Sequence, residues 1–214
     1  DRVVEETERN LRANSYLNEA KIVPVAYDGR NVDLEVRTRD TWTLNPGVNF
    51  SRAGGENEYA LQIREKNLLG RGQALELEWQ SDVDRDALTL SFSDPHLLKN
   101  FTRLAVSYSD ASDGSTKYFN LDRPFYALDT RWSAGTLLTD SEFDVDRWAL
   151  GKRVGKFETQ AQYYQVNGGW SAGLRDGWVQ RWTYGATYQQ SDFEPVPGAP
   201  LGGPLPADRK FVYP

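Results

Sequence analysis

Residues 59–80, YALQIREKNLLGRGQALELEWQ, decide the fold. Tyr59, Leu61 and Ile63 share one face while Ala60, Gln62 and Arg64 share the other. After Gly70-Arg71-Gly72 the alternation resumes, with Leu75, Leu77 and Trp79 set against Glu76, Glu78 and Gln80. A period of two marks strands with one apolar and one polar face. Gly-Arg-Gly could belong to a phosphate-cradling loop, but that chemistry needs a helix N-terminus aimed at the anion. No helical pattern follows here, so the glycines are read as turn positions needing unusual backbone angles.

The same alternation recurs farther along the chain. Leu88, Leu90 and Phe92 form one set, and Leu104, Val106 and Tyr108 another. Phe157, Ala161 and Tyr163 oppose Glu158, Gln160 and Gln162, and Trp182, Tyr184, Ala186 and Tyr188 oppose Arg181, Thr183, Gly185, Thr187 and Gln189. This predicts about eight or nine strands from Trp42 to the C-terminus. A soluble antiparallel sandwich or barrel and a membrane barrel both satisfy the pattern.

Connections and composition separate the two. A tight set (NLLGRG, DPHLLKN, ALDTR, LRDG) alternates with a set that includes long ones (SRAGGEN, SDVDRD, DASDGST, LTDSEFDVDRWALGKRVGK, EPVPGAPLGGPLPADRK). Sorting of short turns to one end and long polar loops to the other is a membrane-barrel trait. The polar face is rich in Ser, Thr, Gly, Gln and Arg. The 7 Trp and 11 Tyr include Trp79, Tyr108, Trp132 and Tyr188 near strand ends, where interfacial girdles form.

Residues 1–41 read differently. Val3, Thr7 and Leu11 space as one helical stripe, and KIVPVAY and NVDLEVRTR flank Asp28-Gly29-Arg30 as a hairpin expected to pack on that helix. Forty residues make too small a core alone, which predicts an α+β domain begun upstream. The strand pattern at the far end predicts a barrel continued downstream.

Composition removes several function classes. A net charge of −6 and pI near 5.0 lack the basic footprint of a nucleic-acid binder. With 0 Cys and 1 His there is no disulfide framework, thiolate nucleophile or two-His metal site. Gly169–Gly173, GWSAG, matches the nucleophile-elbow pattern, but Trp170, Ala172 and Leu174 continue a strand and His96 precedes Ser171. Asp82, Asp84 and Asp86 resemble a calcium loop, with Ala87 in place of its Gly and Ser93 in place of its Glu. Asp140, Glu142, Asp144 and Asp146 read as solvated loop carboxylates. Asn49-Phe50-Ser51 and Asn100-Phe101-Thr102 match the short glycosylation pattern, and His96 reads as a turn or interface residue. No enzyme, cofactor or metal is expected.

The order of motifs carries a resemblance. VDLEVRTRDTW, the stretch TLNPGVNFSRAGGENEYALQIREKNLLGRGQALELEWQ, then ALTLSFSDPHLL and FNLDRPFYALDTRW together resemble the bacterial surface antigen family. These are outer-membrane barrels of the BamA and TamA type with periplasmic POTRA domains. The resemblance covers nearly the whole chain; its most specific pieces are KNLLGRGQ, between barrel strands two and three, and SDPHLL, between four and five. It implies that residues 1–41 end a POTRA domain and 42–214 begin an up-and-down transmembrane barrel, of about 16 strands when complete, with Trp42 to Ser51 as its first strand. The family's Arg-Gly-Phe motif is absent.

The resemblance also implies a function: insertion or translocation of polypeptides at the bacterial outer membrane, with the N-terminal segment in the periplasm. Implied partners are outer-membrane lipid and lipopolysaccharide, client outer-membrane or secreted polypeptides, and periplasmic assembly proteins. Thr43, Leu44, Asn45, Pro46, Gly47, Val48, Asn49 and Phe50 form the candidate lateral-gate strand, since an open strand edge can template an incoming strand. Pro46-Gly47 is expected to interrupt its ladder or to mark a bulge. Three alternatives remain open at this stage: a passive porin-like channel, the barrel anchor of a patatin-like lipase, and a soluble β-rich binding module.

Overall fold

The computed structural model describes residues 2–53, 56–83, 85–97 and 101–214. Helix α1 (Arg2–Arg12) leads into β1 (Leu17–Tyr27) and β2 (Val32–Asp40), which pair as a sheet of their own. Asp28 closes their turn, its carboxylate accepting from the N–H of Asn31 at 2.6 Å and of Arg30 at 2.8 Å. Those two backbone donors hold the Asp28 carboxyl below its usual range. Glu8 accepts from the Ile22 N–H at 2.7 Å, tying α1 to β1. The expected helical stripe is only partly used: Val3 is 60% exposed, and β2 is exposed along its length because α1 packs on β1.

The remaining strands are β3 (Leu44–Ala53), β4 (Glu56–Leu68), β5 (Gln73–Ser81), β6 (Asp86–Leu97), β7 (Thr102–Ala111), β8 (Gly114–Arg123), β9 (Trp132–Ala149), β10 (Lys152–Arg175), β11 (Trp178–Pro195) and β12 (Arg209–Tyr213). Among the described residues they form one antiparallel sheet in sequence order, with β3 and β12 at its open edges. Gly70 and Gly72 adopt φ of 72° and 73°, as expected of a turn between β4 and β5.

The structure corrects several boundaries. The sheet has ten strands, and its first begins at Leu44 rather than Trp42. Residues 138–156, expected as a long loop, are the paired ends of β9 and β10 around a two-residue turn at Leu150-Gly151, both with positive φ. Residues 112–113 also form a tight turn, so 196–208 is the long connection at that end. Asp94–Leu97 lies within β6, across a register shift opposite β7, rather than in a turn. Gly54-Gly55 of SRAGGEN, Asp84, and the 98–100 part of SDPHLLKN, with its Asn100 glycosylation pattern, lie outside the described residues.

One register row crosses all ten strands: Pro46, Ile63, Leu77, Leu90, Tyr108, Lys117, Asp140, Gln162, Gln190 and Lys210. Residues directly opposite share a face, so this row divides the sheet into two sides. On this side apolar residues predominate and stay exposed: Leu61 49%, Leu90 51%, Val166 56% and Val48 80%. The neighbouring row on the other side is Gly47, Gln62, Glu78, Thr89, Ser109, Thr116, Ser141, Ala161, Ser191 and Arg209. Hollows lined by Arg64, Glu76, Arg103, Asn120, Gln165 and Thr187 lie mainly on that polar side, which is therefore the concave one. Among the described residues only Ala20 and Phe157 are buried apolar side chains. The sheet is thus apolar over much of its convex side and polar on its concave side.

The apolar band crosses the register obliquely. At β3 and β4 its upper limit is Phe50 and Tyr59, four residues above the dividing row; at β11 it is Tyr188, two residues below that row. The lower limit moves in step, from Leu44 at β3 to the opposed Trp132, Trp170 and Trp182 at β9, β10 and β11. Both limits descend six residues over the same eight strand-to-strand steps. At about 3.3 Å per residue and about 4.8 Å per strand, that is a tilt of roughly 30°, near the tilt of strands in membrane barrels. A flat slab cutting tilted strands leaves this trace.

Above the band, polarity inverts. On β9–β11 the convex side carries Glu142, Asp144, Glu158, Asp192 and Glu194, while Phe143, Val145, Phe157 and Phe193 lie on the concave side. Residues 196–208 fold back over that apolar patch: the Lys156 N–H donates to the Pro200 carbonyl at 2.9 Å, and Arg147 donates to the Pro204 carbonyl at 2.6 Å. The β9–β11 tips thus have a small apolar cluster of their own around Phe157. Phe157, Ala161 and Tyr163 accordingly face inward, not with the apolar band.

Candidate functional site: the open edge at β3

Seven of the eight candidate gate residues, Leu44–Phe50, lie in the edge strand β3, and Thr43 precedes it. The β3–β4 register runs unbroken from Leu44 opposite Glu65 to Ala53 opposite Glu56. Pro46-Gly47 therefore neither interrupts this ladder nor forms a bulge, contrary to expectation. The hydrogen-bond phase explains why. Lys66 N–H donates to the Thr43 carbonyl at 3.0 Å, and bonded and non-bonded pairs alternate along an antiparallel ladder. Asn45, Gly47, Asn49 and Ser51 therefore turn their backbone groups to β4. Leu44, Pro46, Val48 and Phe50 turn theirs to the open edge, so the missing N–H of Pro46 costs β4 nothing.

The edge thus offers N–H donors at Leu44, Val48 and Phe50 and carbonyl acceptors at all four positions. The same four side chains lie in the apolar band. Gly47 sits under Gln62, where a Cβ would come 3.2 Å from Oε1. Gln62 and Arg64 both hold Glu76, the arginine at 3.2 Å, so the concave wall behind the edge is neutralised and fixed. Phe50 and Tyr59 meet with tilted rings, 5.2 Å between ring centres, at the upper limit of the band.

At the opposite end of the sheet, α1 is pinned beneath the turns. Arg2 pairs with Asp129 in the β8–β9 connection at 2.7 Å, and Glu6 accepts from the Leu128 N–H at 3.3 Å. The Arg2 guanidinium lowers the pKa of Asp129 below the usual carboxylate range. Tyr16 packs over Gly72, where an added Cβ would meet its ring at 2.9 Å.

The motifs set aside from sequence fall elsewhere. Ser171 is fully buried, donates to the Gln180 carbonyl at 2.8 Å and accepts from the Gly173 N–H, as a structural strand residue does. Asp140, Glu142, Asp144 and Asp146 do not share a loop. They alternate along β9, with Asp144 on Lys156 at 2.9 Å and Asp146 on Arg153 at 3.5 Å. Asn49-Phe50-Ser51 is inside β3. His96 lies in β6 and meets Phe101 edge-on at 6.0 Å. What the sequence reading missed is the apolar inner face of the β9–β11 tips. The signal was there: Leu138 and Phe143 are an odd number of residues apart, so the apolar phase changes along one strand.

No family model and no curated protein matches the chain. Among solved structures it is similar to the crystal structure of BamA from Haemophilus ducreyi lacking POTRA domains 1–3, at 15% identity and a TM-score of 0.42. The likeness covers 93% of this chain and 50% of that one, so the chain spans about half the length of the structure it matches.

Proposed function

We propose that this chain spans the bacterial outer membrane as part of a β-barrel that inserts or translocates polypeptides, without enzymatic chemistry. In this reading the convex band meets lipid, the concave face lines a water-filled lumen, and α1 with its hairpin belongs to a periplasmic POTRA domain. The oblique apolar band on the exposed side of the sheet supports membrane insertion. Left in water, each such Leu, Val or Phe forgoes roughly 1.5–3 kcal/mol of transfer free energy, and lipid removes that cost.

The polypeptide-handling role rests on β3. Its open edge presents backbone donors and acceptors at lipid depth, where unpaired groups cost several kcal/mol each. An incoming amphipathic strand with the same alternation would pair with Leu44, Val48 and Phe50 and continue the apolar band. The gap at Pro46 keeps that pairing weak enough to release. A photo-crosslinker placed at Val48 in the full-length protein should capture client strands during assembly, while one at Val106, mid-sheet, should not. Capture at neither site, or equally at both, would remove the gate role.

A further inference from the structure

The GWSAG pattern at 169–173 keeps Gly169, Ser171 and Gly173 buried, while the neighbouring Trp170 is 56% exposed on the convex side. What covers the three small residues is the β8–β9 connection, residues 124–131, folded inward against the concave side of β10. The Phe125 ring lies on Gly169, where an added Cβ would meet ring atom Cε2 at 2.8 Å. The Ser171 N–H donates to the Arg131 carbonyl at 2.9 Å. Gly173, with φ of 76°, lies against the same arginine, an added Cβ coming 3.3 Å from its Nε. Gly-x-Ser-x-Gly is thus a track of alternate positions with little side-chain bulk, and the connection fills it.

The connection is tied to itself as one piece. Its turn is closed by the Thr130 N–H on the Ala127 carbonyl at 3.2 Å and by the Ala127 N–H on Thr130 Oγ1 at 3.0 Å. Arg181 of β11 holds the same Ala127 carbonyl at 3.1 Å, with its guanidinium 4.9 Å from the centre of the Phe125 ring. On the side remote from α1, Pro124 and Phe125 close off a concave-side hollow of about 370 Å³ lined by Asn120, Asp122, Gln165 and Asn167. On the other side, α1 reaches the connection through Arg2 on Asp129 and Glu6 on the Leu128 N–H. The Arg2 and Asp129 side chains are 38% and 58% exposed, and water and salt readily replace such a pair.

We propose that residues 124–131 are a plug for the α1 end of the concave face, seated on the 169–173 track while α1 is docked and leaving it when α1 withdraws. The Phe125 ring is the stopper, Gly169 its seat and Arg2–Asp129 the catch. Departure of the plug opens the hollow beyond Phe125 towards α1. Gly169 offers no side chain to hold a shifted ring, so the seat is either filled or empty, as a two-state element requires. The inference rests on the membrane-spanning reading above, in which the concave face lines the lumen.

The test is the conductance of the full-length protein in planar bilayers. Arg2→Asp and Asp129→Arg should each raise the time-averaged conductance about threefold, and the two together, which restore the pair with its charges exchanged, should return it towards the wild-type value. Phe125→Ala removes the stopper and should raise conductance whether or not the catch is intact. Gly169→Val fills the seat and should do the same, with heat-modifiable gel mobility showing that it has folded. Arg37→Glu, which breaks the exposed Arg37–Glu35 pair on β2, should change nothing. Wild-type conductance in Phe125→Ala overturns the plug, and single charge reversals without effect, or without rescue in the double variant, overturn the catch. Failure of the wild type to insert removes the membrane reading and this inference with it, whereas insertion with every variant indistinguishable from wild type overturns this inference alone.

Discussion

Pro46 stands opposite Ile63 in a non-bonded pair of the β3–β4 ladder, so the one backbone position of β3 without an N–H faces the open edge of the sheet. The pairing that holds β3 in place is complete, and the pairing it offers to another strand is not. Pro46→Val should leave β3–β4 intact and add one edge donor, worth about 0.5–1.5 kcal/mol to any strand that docks there. The yield of Val48 crosslinks to client strands, sampled by irradiation at successive times during assembly, should stay high for longer in that variant. An earlier fall in yield would mean that Pro46 acts through the fold and not through the edge.

Leu90 and Ser91 are neighbours on opposite sides of β6, which makes them a matched probe of which side meets lipid. Leu90→Arg should destabilise the bilayer-inserted protein by about 2–4 kcal/mol, and Ser91→Arg by much less. Denaturant titration of the reconstituted protein reads both. Equal effects would contradict the assignment of faces.

Gly155 lies against residues 201–202, where an added Cβ would come within 2.4 Å of the Leu201 carbonyl group. Gly155→Val should lift the 196–208 segment from the β9–β10 tips at a cost of about 1–3 kcal/mol and uncover Phe157. Limited proteolysis should then cut within 196–208 much faster than in the wild type, with the spanning sheet still resistant. An unchanged cleavage rate would show that this segment is held by other contacts.

The Arg2–Asp129 pair gives α1 a pH dependence of definite sign. The Asp129 pKa is lowered in the folded state, so its contribution is present above the ordinary carboxylate pKa of about 3.9 and is lost as pH falls through the lower folded value. Hydrogen exchange in α1 should quicken over that acid window and, because the pair is exposed, also with added salt. Asp129→Asn should abolish both responses; retention of either would place the control elsewhere.

How much was legible beforehand follows from what one-dimensional patterns carry. Strict alternation around residues 59–80 gave the strands, their faces and the Gly70-Arg71-Gly72 turn, because side-chain period and glycine backbone freedom are local properties. The phase of β3 was not legible. Whether Pro46 breaks a ladder depends on which way its nitrogen points, and that is set by pairing with β4. Residues 138–156 were mistaken for a loop because acidic alternation looks like solvated coil, and the strand pairing that orders it comes from β10 with Phe143 turned to the concave side under Arg85.

The central claim is that the convex band meets lipid, and the absence of cysteine allows it to be tested by single-cysteine scanning along β9. Spin labels at 132–146 in the full-length protein in bilayers should show high oxygen accessibility at 132, 134, 136 and 138. Odd-numbered positions from 133 to 137 should be accessible to polar reagent, and from 140 upward the even positions should become aqueous while 143 is shielded. A scan without alternation between 132 and 138, or one in which the even positions there react as aqueous, would contradict the account.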